Sequence, residues 1–143
     1  MLLLRKHPNT SLMRKAIALA KAKYKEGGHA VGAIIVKGDE IIAEGFATVM
    51  KDKSPISHAE MNAIREAAKK LQSVHLSGCW LYSTYEPCPM CASASVWARL
   101  EGLVFGASRE DQNEKYTQRV SIPCEEVLTR GTPKLKLHKE FMR

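Results

Sequence analysis

No stretch of this chain approaches the roughly 18 apolar residues that a membrane-spanning helix needs, so an integral helical membrane protein is excluded and no membrane partner is expected. The opening "MLLLRKHPNT" has only three consecutive leucines and no small-residue cleavage site, so no signal peptide is expected. Internal repeats, low-complexity segments and linker-like stretches are also missing, and the 143 residues read as one domain, 1–143. Cysteine is sparse: Cys79, Cys88, Cys91 and Cys124, with no export signal, fit a reducing cytoplasm where disulfides are rare. Acidic residues are in deficit, fifteen Asp and Glu against twenty-two Lys and Arg, which leaves a net charge of +7. That balance permits nucleic-acid or phosphorylated partners, and a solvated basic surface accounts for it equally well.

What is present is enough to bury a core, since 45% of the residues are hydrophobic. Residues 11–26, "SLMRKAIALAKAKYKE", set Met13, Ala16, Ile17, Ala20 and Tyr24 on one stripe at helical spacing, and Gly27–Gly28 ends that helix. "AVGAIIVKGDEIIAEGF" reads as two strands joined by a tight turn at Gly38–Asp39. A polar loop with Ser54 and Pro55 leads into the helix "SHAEMNAIREAAKKL", where Met61, Ile64, Ala68 and Leu71 share a face. "CWLYSTY" is a buried strand, "CPMCASASVWARL" a short helix and "GLVFGAS" a further strand. Beyond residue 107 come a charged loop, a short "CEEVLTR" helix and a basic tail, 131–143. Strands alternating with helices predict a layered α/β domain.

The pair in "YEPCPMC" has three readings: a disulfide, two idle core residues, or two metal ligands. Cys88-Pro-Met-Cys91 opens a helix directly after a strand, where backbone amides and the helix dipole favour the thiolate that binds metals. Tetrahedral zinc then needs further protein ligands. Upstream, His58 and Glu60 open the other long helix. Three ligands, His58, Cys88 and Cys91, would leave the fourth zinc position to water, whose pKa the metal lowers. Glu60 would not ligate; it would take the water's proton and pass it on to a ring nitrogen and departing ammonia. His-x-Glu followed some thirty residues later by Pro-Cys-x-x-Cys is the signature of the zinc nucleobase deaminases, so these roles rest on recognition of that signature.

The pieces "VGAIIVKGDEIIAEG", "HAEMNAIREAAK", "LYSTYEPCPMCASA" and "WARLEGLVFGA" accordingly resemble the cytidine and deoxycytidylate deaminase superfamily, in the branch of guanine deaminase and the tRNA adenosine deaminases. The resemblance runs from about Met13 to Ser108. It implies a three-layer α/β/α fold with a central mixed five-stranded sheet, assembled as a homodimer or larger oligomer. It implies zinc on His58, Cys88 and Cys91 with Glu60 as proton shuttle, and it sets Gly32 and Ala33 where the backbone approaches the base. Glycine at 32 also makes sense alone, because it lets a ligand come close to the chain.

Several positions depart from the branch. "EGFATV" places Ala47 where its purine deaminases usually carry an asparagine that contacts base or ribose. Ala30 stands where the tRNA enzymes tend to have proline, and "SREDQNEKYTQRVSIPC" replaces their stretch after the fourth strand. "VWAR" is closer to guanine-deaminase-like members, and "HAEMNAI" resembles the deoxycytidylate enzymes. Trp97 can stack on a base, but nine positions past Cys88 is about 180° around a helix, which favours a core or dimer contact. Glu86 either orients ligand or substrate or fixes a loop. Cys79 and Cys124 read as small buried residues, and His29 and His75 as bystanders. "KLKLHKEFMR" closes over the site, binds phosphate, or is a solvated, frayed end.

The expected function is hydrolytic deamination of a nucleobase or nucleoside with release of ammonia, with a tRNA adenosine or a deoxycytidylate- or cytidine-type substrate as alternatives. A second class is a catalytically silent relative with structural zinc and a nucleic-acid-binding surface. Glu60 separates the two, because a silent relative needs no carboxylate beside the water.

Overall fold

Helix α1, Thr10–Lys25, starts where Asn9 Oδ1 accepts the amide of Leu12 at 3.2 Å, satisfying one of the donors a helix start leaves open. In this computed structural model, which describes residues 6–26, 30–109 and 119–142, the helix buries Leu12, Met13, Ala16 and Ala20. Burial of each of the two large side chains is worth about 1.5–3 kcal/mol. Tyr24, predicted on the same stripe, is 66% exposed. The helix crosses the sheet at Gly32, where an added Cβ would lie 2.4 Å from Ala16 O and 2.8 Å from Ala20 N. Tyr24 lies a full turn beyond that crossing, at the end away from the buried residues.

Strands β1, Gly32–Lys37, and β2, Glu40–Phe46, form the expected antiparallel hairpin, with an irregularity between Ile35 and Val36. Strand β3, Cys79–Tyr85, pairs antiparallel with β1, and β4, Gly102–Ala107, runs parallel to β3. The sheet order is β2-β1-β3-β4-β5. The fifth strand is Lys136–His138, parallel to β4 and lying within the segment read as a basic tail. Its sequence signal is the alternation of Leu135 and Leu137 with lysines: both leucines pack half-buried against the core while Lys134 and Lys136 face solvent. Beyond it, the Phe141 amide donates to Phe105 O at 2.9 Å, so the tail is docked rather than frayed.

Period-2 alternation divides the sheet's side chains between two layers. Ile34, Val36, Trp80, Tyr82 and Val104 pack under α1. Ala33, Ile35, Leu81, Leu103 and Phe105 face the opposite layer. That layer holds α3, Ala59–Leu71, α4, Pro89–Trp97, and α5, Cys124–Thr129. One short helix, α2, Val49–Asp52, interrupts the predicted polar loop. The expected three-layer α/β/α arrangement around a mixed five-stranded sheet is the observed one.

The face of α3 is where the sequence pattern misleads. Ile64, Ala68 and Leu71 are only partly buried and Met61 is half-exposed, whereas Ala59, Ala63 and Ala67 form the fully buried line. The cause is Gly45 on β2: a Cβ there would stand 2.1 Å from Ala59 O and 2.7 Å from Ala63 N. Helix and strand touch backbone to backbone, so only alanines fit between them and the larger residues move to the shoulders. Gly45→Ala must push α3 off the sheet. It is expected to cost about 3 kcal/mol or more, as a fall in urea midpoint without a change in slope. An unchanged midpoint would show that the contact is not tight.

Candidate active site

Both helices that carry the signature begin at their ligand residues. His58 is the N-cap of α3 (φ −72°, ψ 160°) and Cys88 the N-cap of α4 (φ −67°, ψ 168°), with Pro89 in the first turn where its missing N–H costs nothing. The two helices pack against each other on one face of the sheet, and their N-termini converge. His58 Nδ1 lies 3.6 Å from Cys88 Sγ and 3.6 Å from Cys91 Sγ, and the two sulfurs are 3.7 Å apart. The sulfurs are far beyond the roughly 2.05 Å of a disulfide, and all four cysteines are free. A tetrahedral zinc with Zn–S near 2.3 Å and Zn–N near 2.05 Å needs sulfurs about 3.8 Å apart and N···S distances of about 3.6 Å. The three donors fit zinc.

Their electrostatics point the same way. The hydrogen bond between the two sulfurs, helped by His58 and opposed by burial, draws the Cys88 pKa down to about 4. The same bond and deeper burial push Cys91 far up. A divalent cation between the sulfurs would displace thiol protons, because the thiolate is the form that ligates. The hydrogen bond to Cys88 raises His58 against the opposing effect of burial.

Glu60 lies in the first turn of α3, 5% exposed, with its pKa raised to about 7 chiefly by burial and further by the Cys88 charge. Its own backbone amide, His58 and Arg109 oppose that rise. A carboxyl poised near neutrality can both accept and return a proton. Arg109, which sequence reasoning passed over, also acts on His58. It follows β4, whose C-terminal end lies beside that of β3 (Tyr85 opposite Ala107), the end of a sheet where α/β ligands gather.

The remaining predicted residues are redistributed. Gly32 lacks a side chain on the α1 side of the sheet, so its glycine serves the helix crossing rather than ligand approach. Its amide donates to Thr84 Oγ1 at 3.0 Å. Ala33 is fully buried among Ala59 and Ala63. Glu86 is 7% exposed and both its oxygens are occupied: Oε1 accepts from Ser108 Oγ at 3.3 Å and Arg109 N at 3.0 Å, and Oε2 from Cys124 N at 2.9 Å. It ties the loop after β3 to the exit of β4 and the start of α5. Trp97, the last residue of α4, is 84% exposed, which corrects the core alternative. Cys79 and Cys124 are buried as expected, His75 is exposed, and His29 lies outside the described residues.

The fold and the three-donor cluster define a zinc-binding α/β protein of the deaminase type. Residues 6–107 match the cytidine and deoxycytidylate deaminase zinc-binding region, and the chain belongs to that family. It is 45% identical over 95 residues to a tRNA-specific adenosine deaminase of Aquifex aeolicus, covering 66% of this chain and 63% of the relative. It is 41% identical over 105 residues to the guanine deaminase of Bacillus subtilis, covering 73% and 67%. The X-ray structure of guanine deaminase from Bacillus subtilis superposes with a TM-score of 0.70 at 40% identity, over 75% of this chain and 68% of that one. The chain thus spans only about three-fifths to two-thirds of the length of such relatives.

Glu86 offers a direct test of the site's scaffold. Glu86→Ala leaves two amides and a hydroxyl without their acceptor, at about 1–3 kcal/mol for each that stays buried. The expected result is a melting temperature at least 10 °C lower, about what such a loss brings in a domain of this size, with a smaller fall for Glu86→Gln, which keeps one carbonyl acceptor. Equal stability of wild type and Glu86→Ala would contradict the assignment.

Proposed function

We propose that this chain is one zinc-dependent deaminase domain over residues 1–143. It would convert an exocyclic amino group of a nucleobase or nucleoside, of guanine, cytosine or adenine type, to a carbonyl with release of ammonia. The observation that carries this is the cluster of His58 Nδ1, Cys88 Sγ and Cys91 Sγ at zinc-ligand spacing, with the buried carboxyl of Glu60 two residues from the histidine. His58, Cys88 and Cys91 hold the metal. Bound zinc supplies a Lewis acid that makes water nucleophilic near neutral pH. Glu60 would accept one proton from the water and deliver it to the ring nitrogen, then carry the proton left on the added hydroxyl to the departing amino group, so that both water protons are placed. Water adds its oxygen to the carbon, the C–N bond breaks, and ammonia leaves.

A free base or nucleoside is the preferred substrate, because Ala47 offers no side-chain hydrogen bond to base or ribose. A tRNA adenosine is the second reading, favoured by the net charge of +7. A reducing cytoplasmic setting suits the four free thiols. A homodimer would give the exposed Trp97 a partner.

Elemental analysis of freshly purified protein should find one zinc per chain, and Glu60→Gln should keep that zinc while losing at least about a hundredfold in turnover. Wild-type rates in Glu60→Gln would refute the proton role, and absence of zinc the metal role. Ammonia release from bases, nucleosides, nucleotides and a tRNA stem-loop should be fastest with a small neutral substrate and nearly independent of salt. A stem-loop that turns over faster and collapses as salt rises would reverse the ranking, because each phosphate contact releases counterions.

A further inference from the structure

The segment from Phe46 to Ser57 leaves the sheet at the end of β2 and returns to the chain at His58. Its last residue, Ser57, directly precedes His58, and Gly45, just before its start, lies against the backbone of Ala59 and Ala63 in the helix that carries Glu60. Yet little apolar burial holds it. Met50 is 84% and Ile56 46% exposed, α2 is a single turn, and Lys53 sits in the left-handed region at φ 50°. Some other interaction must keep this wall in place.

That interaction is the carboxamide of Asn62. Its Nδ2 donates to Phe46 O at 2.8 Å and to Thr48 Oγ1 at 2.8 Å, with Ser57 O at 3.4 Å. Its Oδ1 accepts from Arg65 Nη1 at 2.9 Å. The reversed amide would set oxygen against the Phe46 carbonyl and an NH2 against the Arg65 donor, so the contacts determine its orientation. Thr48 extends the network: its hydroxyl donates to Asp52 Oδ2 at 2.6 Å and its amide to Ser57 O at 3.0 Å. One side chain thus ties the departing and returning ends of the segment together. Asn62 itself is one helical turn beyond His58, its amide donating to His58 O at 2.9 Å. On the other side, Lys23 Nζ lies 4.0 Å from the centre of the Phe46 ring.

We propose that Asn62 is a positioning residue that sets substrate selectivity. It locks the wall formed by Phe46, Ala47 and Thr48 to the helix that carries His58 and Glu60, so wall and reacting centre keep a constant separation. With alanine at 47, discrimination along this wall comes from its shape, and shape requires that the wall stay fixed. The selectivity part rests on the deaminase reading above; the clamp itself does not.

Asn62→Ala, Asn62→Asp and Thr48→Val test it in the zinc-loaded protein. Each is expected to retain one zinc per chain and to raise KM by about tenfold for the best substrate, the loss of roughly one hydrogen bond. kcat should fall much less, and preference between the best and second-best base should narrow. The double variant Asn62→Ala/Thr48→Val should be no worse than the poorer single one, because both break one network. Independently of turnover, hydrogen exchange of the Thr48 and Ser57 amides should accelerate at least about tenfold in Asn62→Ala. Unchanged exchange there overturns the clamp. Loss of zinc, kcat and KM in proportion overturns the selectivity role and leaves only a structural one. A wild-type protein with zinc but no turnover on any base sinks the deaminase reading and the selectivity role with it, while exchange still decides whether the clamp exists.

Discussion

The site depends on the backbone-to-backbone contact between β2 and α3. Because Gly45 has no side chain and Ala59 and Ala63 have only methyls, the helix lies directly on the strand. Its N-terminus then falls where α4 also begins, and His58 Nδ1 comes within 3.6 Å of both sulfurs. Bulkier packing would lift α3 and open those distances, and a chelating cluster tolerates only a few tenths of an ångström. Packing density in one layer therefore sets ligand geometry in the site.

Two buried carboxylates near the cluster illustrate opposite uses of the same group. Glu86 has three donors within 3.3 Å and is a structural tie among the Cys88 loop, the exit of β4 and the start of α5. Glu60 sits on the first turn of a helix in a desolvated position that pushes it to about 7. The first arrangement fixes a side chain in place; the second keeps a proton movable. Burial is common to both, and the supply of hydrogen-bond donors separates their roles.

The sequence made the elements legible wherever periodicity was strong. The hairpin, α3, β3, α4 and β4 stand where alternation and helical spacing put them. The errors have specific causes. Tyr24 and Met61 satisfied helical spacing but not the position of the neighbouring strand, which the chain reveals only when folded. β5 was hidden because its lysines dominate the composition, although Leu135 and Leu137 alternate as an edge strand should. Gly32 looked like room for a ligand and is room for a helix.

The proposed ligand set and proton carrier were legible in the sequence alone, because His58, Glu60, Cys88 and Cys91 form a spacing that few other chemistries require. Local signals sufficed there, since each ligand opens a helix and helix starts are encoded within a few residues. The surroundings of Glu86, Asn62, Arg109 and Trp97 are visible only in the tertiary structure. The groups that reach Glu86, Asn62 and Arg109 lie between three and fifty-one residues away, and Trp97 is exposed. A polar side chain's function is set by the groups that reach its atoms, and those groups meet only when the layers close.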